Sequence, residues 1–97
     1  MTSELIEDLL LLYIEDDNEI KSVYERFLRR RVKNVIVASN GQEGYDMYKE
    51  HNPDLIITDI NMPIMSGLEM CSLIRDEDKD IPIIVTTAHS EAQFFQE

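Results

Sequence analysis

The chain has 97 residues, a net charge of −11, 43% hydrophobic residues and a single cysteine, Cys71. That length suits one small domain (1–97), the apolar content supports a core, and the acidic balance argues against nucleic acid as a partner. No apolar run spans a bilayer, the acidic N-terminus is unlike a signal peptide, and a lone cysteine suits a reducing, cytoplasmic setting.

Residues 1–8 read as a lead-in. Leu9 to Ile14 is apolar without alternation, which predicts a strand buried on both faces. It ends in three consecutive carboxylates, Glu15, Asp16 and Asp17. An apolar run wants burial and a carboxylate cluster wants water or a cation, so this junction belongs at the rim of a core. Asp17 or Asn18 can cap the next segment, where Ile20, Val23, Tyr24, Phe27 and Leu28 recur at helical spacing. Arg29, Arg30, Arg31 and Lys33 gather where that helix ends, a place that suits cations; a phosphate-binding patch is the alternative. "NVIVAS" (34–39) reads as a second strand, "NG" (40–41) as a turn and residues 42–51 as a second helix, with His51 at its end, broken by "NP" (52–53).

"DLIIT" (54–58) is a third apolar strand that runs into Asp59. Residues 60–67, "INMPIMSG", form a loop, and Ser66 caps a third helix with an apolar face of Leu68, Met70, Cys71, Leu73 and Ile74. Cys71 there is a buried thiol rather than a nucleophile. "DEDKD" (76–80) is a solvated connection. "IPIIVTT" (81–87) is a fourth strand, with Pro82 tolerable only near its start. Ser90 opens a fourth helix.

Strands that alternate with helices predict an α/β fold: a parallel sheet with helices on both faces. Ligands bind such sheets at the carboxyl ends of the strands. Glu15, Asp16, Asp59 and Thr87 all fall at strand ends and reach one edge if the strands are adjacent. Three converging carboxylates repel one another, and a hard divalent cation with oxygen ligands relieves that. The plain alternative is that two of them cap helices and Asp59 is a turn residue. The combination of "ED" after the first strand, "D" after the third and "TA" after the fourth is what sets the cation reading above it.

The motifs "LLLYIEDD" (10–17), "NGQEGYDM" (40–47), "PDLIITDINMPIMSGLEM" (53–70) and "IPIIVTTAHS" (81–90) resemble the receiver domain of two-component response regulators, from residue 9 to about residue 91. The resemblance implies a flavodoxin-like, doubly wound sheet of strand order 2-1-3-4. It implies that Asp59 is the phosphoacceptor for a histidine kinase or phosphotransfer protein. Glu15 and Asp16 would place Mg²⁺ (or Mn²⁺) with Asp59, and Asn61 would add its backbone carbonyl. Thr87 would be the switch hydroxyl, and Pro63 and Gly67 would shape the loop. Asn61 and His89 would flank the site and modulate loss of the phosphoryl group; a solvent-facing His89 at a helix start is the other reading. Such a domain signals rather than acting as an enzyme on outside substrates.

The chain departs from that family where it stops. The family's fifth strand, fifth helix and following lysine have no match, about 25 residues in all. The fourth strand would then present an open edge, Ile83 to Val85, which predicts self-association around it and around Phe94–Phe95. Two other functions compete. An aspartate-nucleophile phosphatase of the haloacid dehalogenase kind needs a second aspartate where this chain has Asn61. The acidic trio and Thr87 argue against a binding module acting without phosphorylation for a longer parent chain, while the unmatched lysine leaves that reading open for this one.

Overall fold

Leu11, Leu12, Tyr13 and Ile14 are all buried, although neighbours along a strand point to opposite faces. Only a strand covered on both sides satisfies that pattern. In the computed structural model, which describes residues 6–86, this strand is β1 (Ile6–Ile14), at the centre of a four-stranded sheet. The sheet order is β2-β1-β3-β4, with β2 at Val32–Ala38, β3 at Leu55–Asp59 and β4 at Ile83–Thr86. Every pairing is parallel, so each crossover carries a helix: α1 (Asn18–Arg29), α2 (Gly41–His51) and α3 (Gly67–Glu77). No helix among the described residues is long and apolar enough to cross a membrane.

The period of two splits β1 between two cores. Leu12 and Ile14 join Ala38, Ile56, Met70 and Ile74 in the larger one, and Leu11 joins Val32 and Val35 in the other. Each helix starts as its residues dictate. Asp17 Oδ1 accepts from the backbone N–H of Glu19 and of Ile20, Asn40 Oδ1 accepts from Glu43, and Ser66 and Glu69 form a reciprocal capping box. The basic cluster closes α1. Arg29 pairs with Glu25 at 2.8 Å, and the Arg31 guanidinium lies over the Phe27 ring.

Several sequence expectations shift. First, the lead-in is shorter. Ile6 to Asp8 belong to β1, because Ile6 pairs with Val32 and its N–H bonds to Arg31 at 2.9 Å. Backbone pairing extends this strand where side-chain pattern did not. Second, β2 starts at Val32 and ends at Ala38, two residues earlier and one residue sooner than the apolar pattern. Third, α3 takes in Asp76 and Glu77, and the Tyr45 hydroxyl donates to the Glu77 carboxylate across to α2. Fourth, α1 buries none of its residues: Val23 is 61% exposed and Phe27 48%. Two helices cover the opposite face, whereas α1 alone covers this one among the described residues. In β4, Ile81 and Pro82 precede the ladder, although the Pro82 carbonyl still accepts from Ile56 at 3.1 Å. The expected fourth helix and Phe94–Phe95 lie outside the described residues.

Candidate functional site

Parallel register sets which chain ends meet. Ile14 pairs with Ala38 on one side and Thr58 on the other, and Asp59 pairs with Thr86. The residues that follow Ile14 and Thr58 therefore emerge at one edge. There Glu15, Asp16 and Asp59 each offer a carboxylate oxygen, and these atoms all lie within 4.8 Å of one another. Glu15 and Asp59 are each only 1% exposed. The Glu15 backbone N–H is tied to Ala38 at 3.1 Å, and the Glu15 carboxylate accepts from the Asp17 N–H at 3.1 Å. Asp17 itself turns away to cap α1, so the run of three acids divides into two site residues and one cap.

The loop after Asp59 is held at both ends. The Gly67 N–H bonds to the Ile60 carbonyl at 2.8 Å, and the Gly41 N–H bonds to Met65 at 3.0 Å. Both contacts need glycine. A Cβ on Gly67 would stand 2.0 Å from the Asp59 carbonyl oxygen, and one on Gly41 2.2 Å from the Met65 oxygen. The Thr58 hydroxyl also donates to that Asp59 carbonyl, at 2.9 Å. Pro63 accepts from Met65 at 2.7 Å, a three-residue turn with Ile64 at its apex. Ile64 sits at φ 72°, where a β-branched residue costs on the order of 1–3 kcal/mol.

The sequence reading missed two participants. Gly41 was legible only as half of a turn, yet it lets the loop approach α2. Tyr13 was counted as core. Period two places it on the same face as Glu15, two residues on, and both line an apolar cavity of about 220 Å³ with Tyr24, Phe27, Ile57 and Ile84. Burial, and next the Glu15 carboxylate, push the Tyr13 phenol well above its usual range, so it stays protonated. Thr87 and His89 lie outside the described residues. Thr86, the last of β4, directs its hydroxyl at the Thr58 carbonyl at 3.4 Å.

The donor set tests the cation. Three carboxylates, with no imidazole or thiolate among them, are oxygen ligands of the kind a hard divalent ion takes. Softer metals would look for nitrogen or sulfur, and the one cysteine, Cys71, sits half-buried on α3.

Comparison with known proteins places these features. Residues 11–97 match the model of the response regulator receiver domain. Over 81 residues the chain is 40% identical to the transcriptional regulatory protein AfsQ1 of Streptomyces coelicolor, covering 84% of this chain and 36% of that protein. The chain thus spans about a third of the length of the curated relatives it matches. Among solved structures, the N-terminal domain of an uncharacterized protein from Wolinella succinogenes matches with a TM-score of 0.79 at 35% identity, covering 91% of this chain and 71% of that one. The receiver domain of Ssk1, co-crystallised with the Saccharomyces cerevisiae histidine phosphotransfer protein Ypd1, matches with a TM-score of 0.70 at 28% identity, covering 88% and 63%. Fold, acidic edge and sequence agree, and this chain belongs to the receiver-domain family of two-component response regulators.

Proposed function

We propose that Asp59 is the residue of this signalling domain that takes the phosphoryl group, and that Glu15 and Asp16 complete the oxygen set around it. The observation that supports this is the convergence of the three carboxylates within 4.8 Å at the carboxyl edge of the sheet. An Asp59 carboxylate oxygen attacks the phosphorus of a phosphohistidine, the P–N bond breaks, and the imidazole leaves with its electron pair. Transfer of this kind asks for positioning and charge neutralisation more than for covalent chemistry. Bound Mg²⁺ (or Mn²⁺) would neutralise the phosphoryl oxygens, held by Glu15, Asp16, Asp59 and the Asn61 backbone carbonyl. The chain's own residues do the rest. Gly67 and Pro63 shape the loop that carries Asn61. Thr87 donates a hydrogen bond to a phosphoryl oxygen that exists only after transfer, the differential contact a two-state switch requires. Asn61, two residues past Asp59, modulates how fast water removes the phosphoryl group. The domain catalyses its own loading and unloading and turns over no outside substrate. The donor is a histidine kinase or phosphotransfer protein; the co-crystal of Ssk1 with Ypd1 supports the second class.

Intact mass after incubation with acetyl phosphate and Mg²⁺ shows one phosphate adduct on the wild type and none on Asp59→Asn. An adduct that survives the substitution would sink the assignment.

We also propose that this chain self-associates along β4. Among the described residues β4 pairs with β3 alone, and Ile84 and Val85 are exposed. An exposed apolar strand edge is a template for another chain. Sedimentation velocity gives a weight-average mass that rises with concentration for the wild type and stays at that of the monomer for Val85→Lys. A wild type that is monomeric at every concentration contradicts this reading.

A further inference from the structure

Positive charge is distributed unevenly between the two edges of the sheet. In an all-parallel sheet each helix starts near the carboxyl edge and returns to the amino edge. Of the nine lysines and arginines, eight lie in the last turn of a helix or in the residues just after it, at the amino edge. Lys21, in the first turn of α1, is the ninth. A cation there opposes the helix dipole, so the helix gains nothing from its charge. Its ammonium is nevertheless fixed: it donates to the Ser39 hydroxyl at 2.5 Å, and both residues are half-buried. Ser39 and Glu15 each follow a member of the register pair Ala38 and Ile14, and the Glu15 N–H bonds back to Ala38 at 3.1 Å. The two residues therefore stand at the ends of adjacent strands, about 5 Å apart at the backbone. A hydroxyl holds the ammonium in place without cancelling its charge. Among the described residues, the one lysine or arginine on this edge thus stands a single strand away from a buried carboxylate of the acidic trio.

We infer that Lys21 sets the charge balance of the acidic edge: it eases the approach of an anionic phosphoryl donor and, by the same charge, weakens the hold on a divalent cation. The first half rests on Asp59 as the acceptor. Three carboxylates repel an incoming dianion, and an ammonium beside Glu15 offsets part of that repulsion. It acts through space. Asp59 ends β3, two strand spacings or about 10 Å from the end of β2. A unit charge acting on a dianion across about 10 Å of water changes a rate roughly fourfold. Its interaction with a divalent cation is of equal size and opposite sign. The plain alternative is a clasp. The Ser39 N–H also donates to the Glu43 carboxylate at 2.6 Å, so on this reading Lys21 and Ser39 only fasten α1 and α2 to the end of β2. Loss of a clasp would harm labelling and cation binding together.

The test compares wild type, Lys21→Gln, Lys21→Arg and Ser39→Ala. Calorimetry gives the Mg²⁺ affinity of each. The rate of labelling by acetyl phosphate is read at saturating Mg²⁺, in low salt and in 1 M salt. Lys21→Gln labels roughly fourfold more slowly in low salt and binds Mg²⁺ roughly fourfold more tightly. Both differences vanish in 1 M salt, where the screening length is about 3 Å. Lys21→Arg matches the wild type in both, and Ser39→Ala, which keeps the charge, stays close to it. A Lys21→Gln protein that behaves as the wild type, or that loses rate and affinity together, overturns the inference while the acceptor assignment stands. So does a loss that persists in 1 M salt, or a Ser39→Ala protein that behaves as Lys21→Gln does. A wild type that acetyl phosphate does not label brings down the acceptor assignment and this inference together.

Discussion

Asparagine in place of Asp59 raises the melting temperature of the metal-free protein and abolishes the further rise that Mg²⁺ gives the wild type. Asp59 and Glu15 are both buried, and their oxygens lie within 4.8 Å of each other and of Asp16. Two unit charges at that distance repel by about 3.5 kcal/mol at an effective dielectric of 20. Asparagine keeps the shape and removes one of the three charges. Hydrogen bonds to a charged group, worth about 2 kcal/mol, offset part of the relief and leave a gain of about 1.5 kcal/mol. In a domain of this size that is roughly 6–12 °C. The cation works against the repulsion and acts far more on the wild type than on the variant. It stabilises whichever folded state binds it, by an amount that grows with its concentration over the dissociation constant. Wild type keeps three carboxylates for it and the variant two. Thermal unfolding in EDTA and in excess Mg²⁺ reads both effects. A variant that melts below the wild type in EDTA, or equal Mg²⁺ shifts in the two proteins, would show that the trio is not under repulsion.

Gly67→Ala destabilises the domain by about 3 kcal/mol, although the same change at most helix starts is neutral or favourable. The new Cβ would stand 2.0 Å from the Asp59 carbonyl oxygen, 3.1 Å from its carbon and 3.2 Å from Ile60 Cα. All three are backbone atoms, and the carbonyl is also held by the Thr58 hydroxyl. Neither side yields by a rotamer change, so the first turn of α3 must move off the end of β3. Met70 and Ile74 ride on that helix, fully buried, and their packing opens with it. Gly44→Ala is the control. Its Cβ meets Ile14 and Met70 side-chain atoms at 2.8 to 2.9 Å, and side chains can shift, so a cost nearer 1 kcal/mol is expected. Urea unfolding measures both as a lowered midpoint at constant slope. Gly67→Ala as stable as the wild type would mean the close approach is not required.

The acidic site was legible because it is built from chain-local facts repeated at three strand ends. Leu9 to Ile14 had to be a doubly covered strand, so Glu15 and Asp16 had to emerge at its carboxyl end. The same logic carried "DLIIT" into Asp59. Once parallel pairing is granted, the three acids have nowhere else to meet. Ser66 with Glu69 was equally readable, since a capping box is a contact between residues three apart.

Other features carried no such local mark. The α1 stripe of Val23, Tyr24 and Phe27 has the period of a buried face, yet the helix stands largely exposed. Periodicity records which face is apolar and says nothing of whether a neighbour covers it. The start of β1 at Ile6 depends on backbone bonds to Arg31 and Val32, which leave no trace in side-chain pattern.

By itself, then, the amino-acid order determined the alternation of strands and helices, the parallel sheet and the residues of the acidic edge. These follow from hydrophobic period, caps and turn residues, all of which act over a few positions. Only the tertiary structure decided that Gly41 and Gly67 are spacers between backbones, that Tyr13 shares a cavity with Glu15, and that Ile64 sits at positive φ and open to solvent. Those features arise where segments far apart in the chain approach within a few ångströms, and steric contact between distant segments is not encoded in any short stretch of either one.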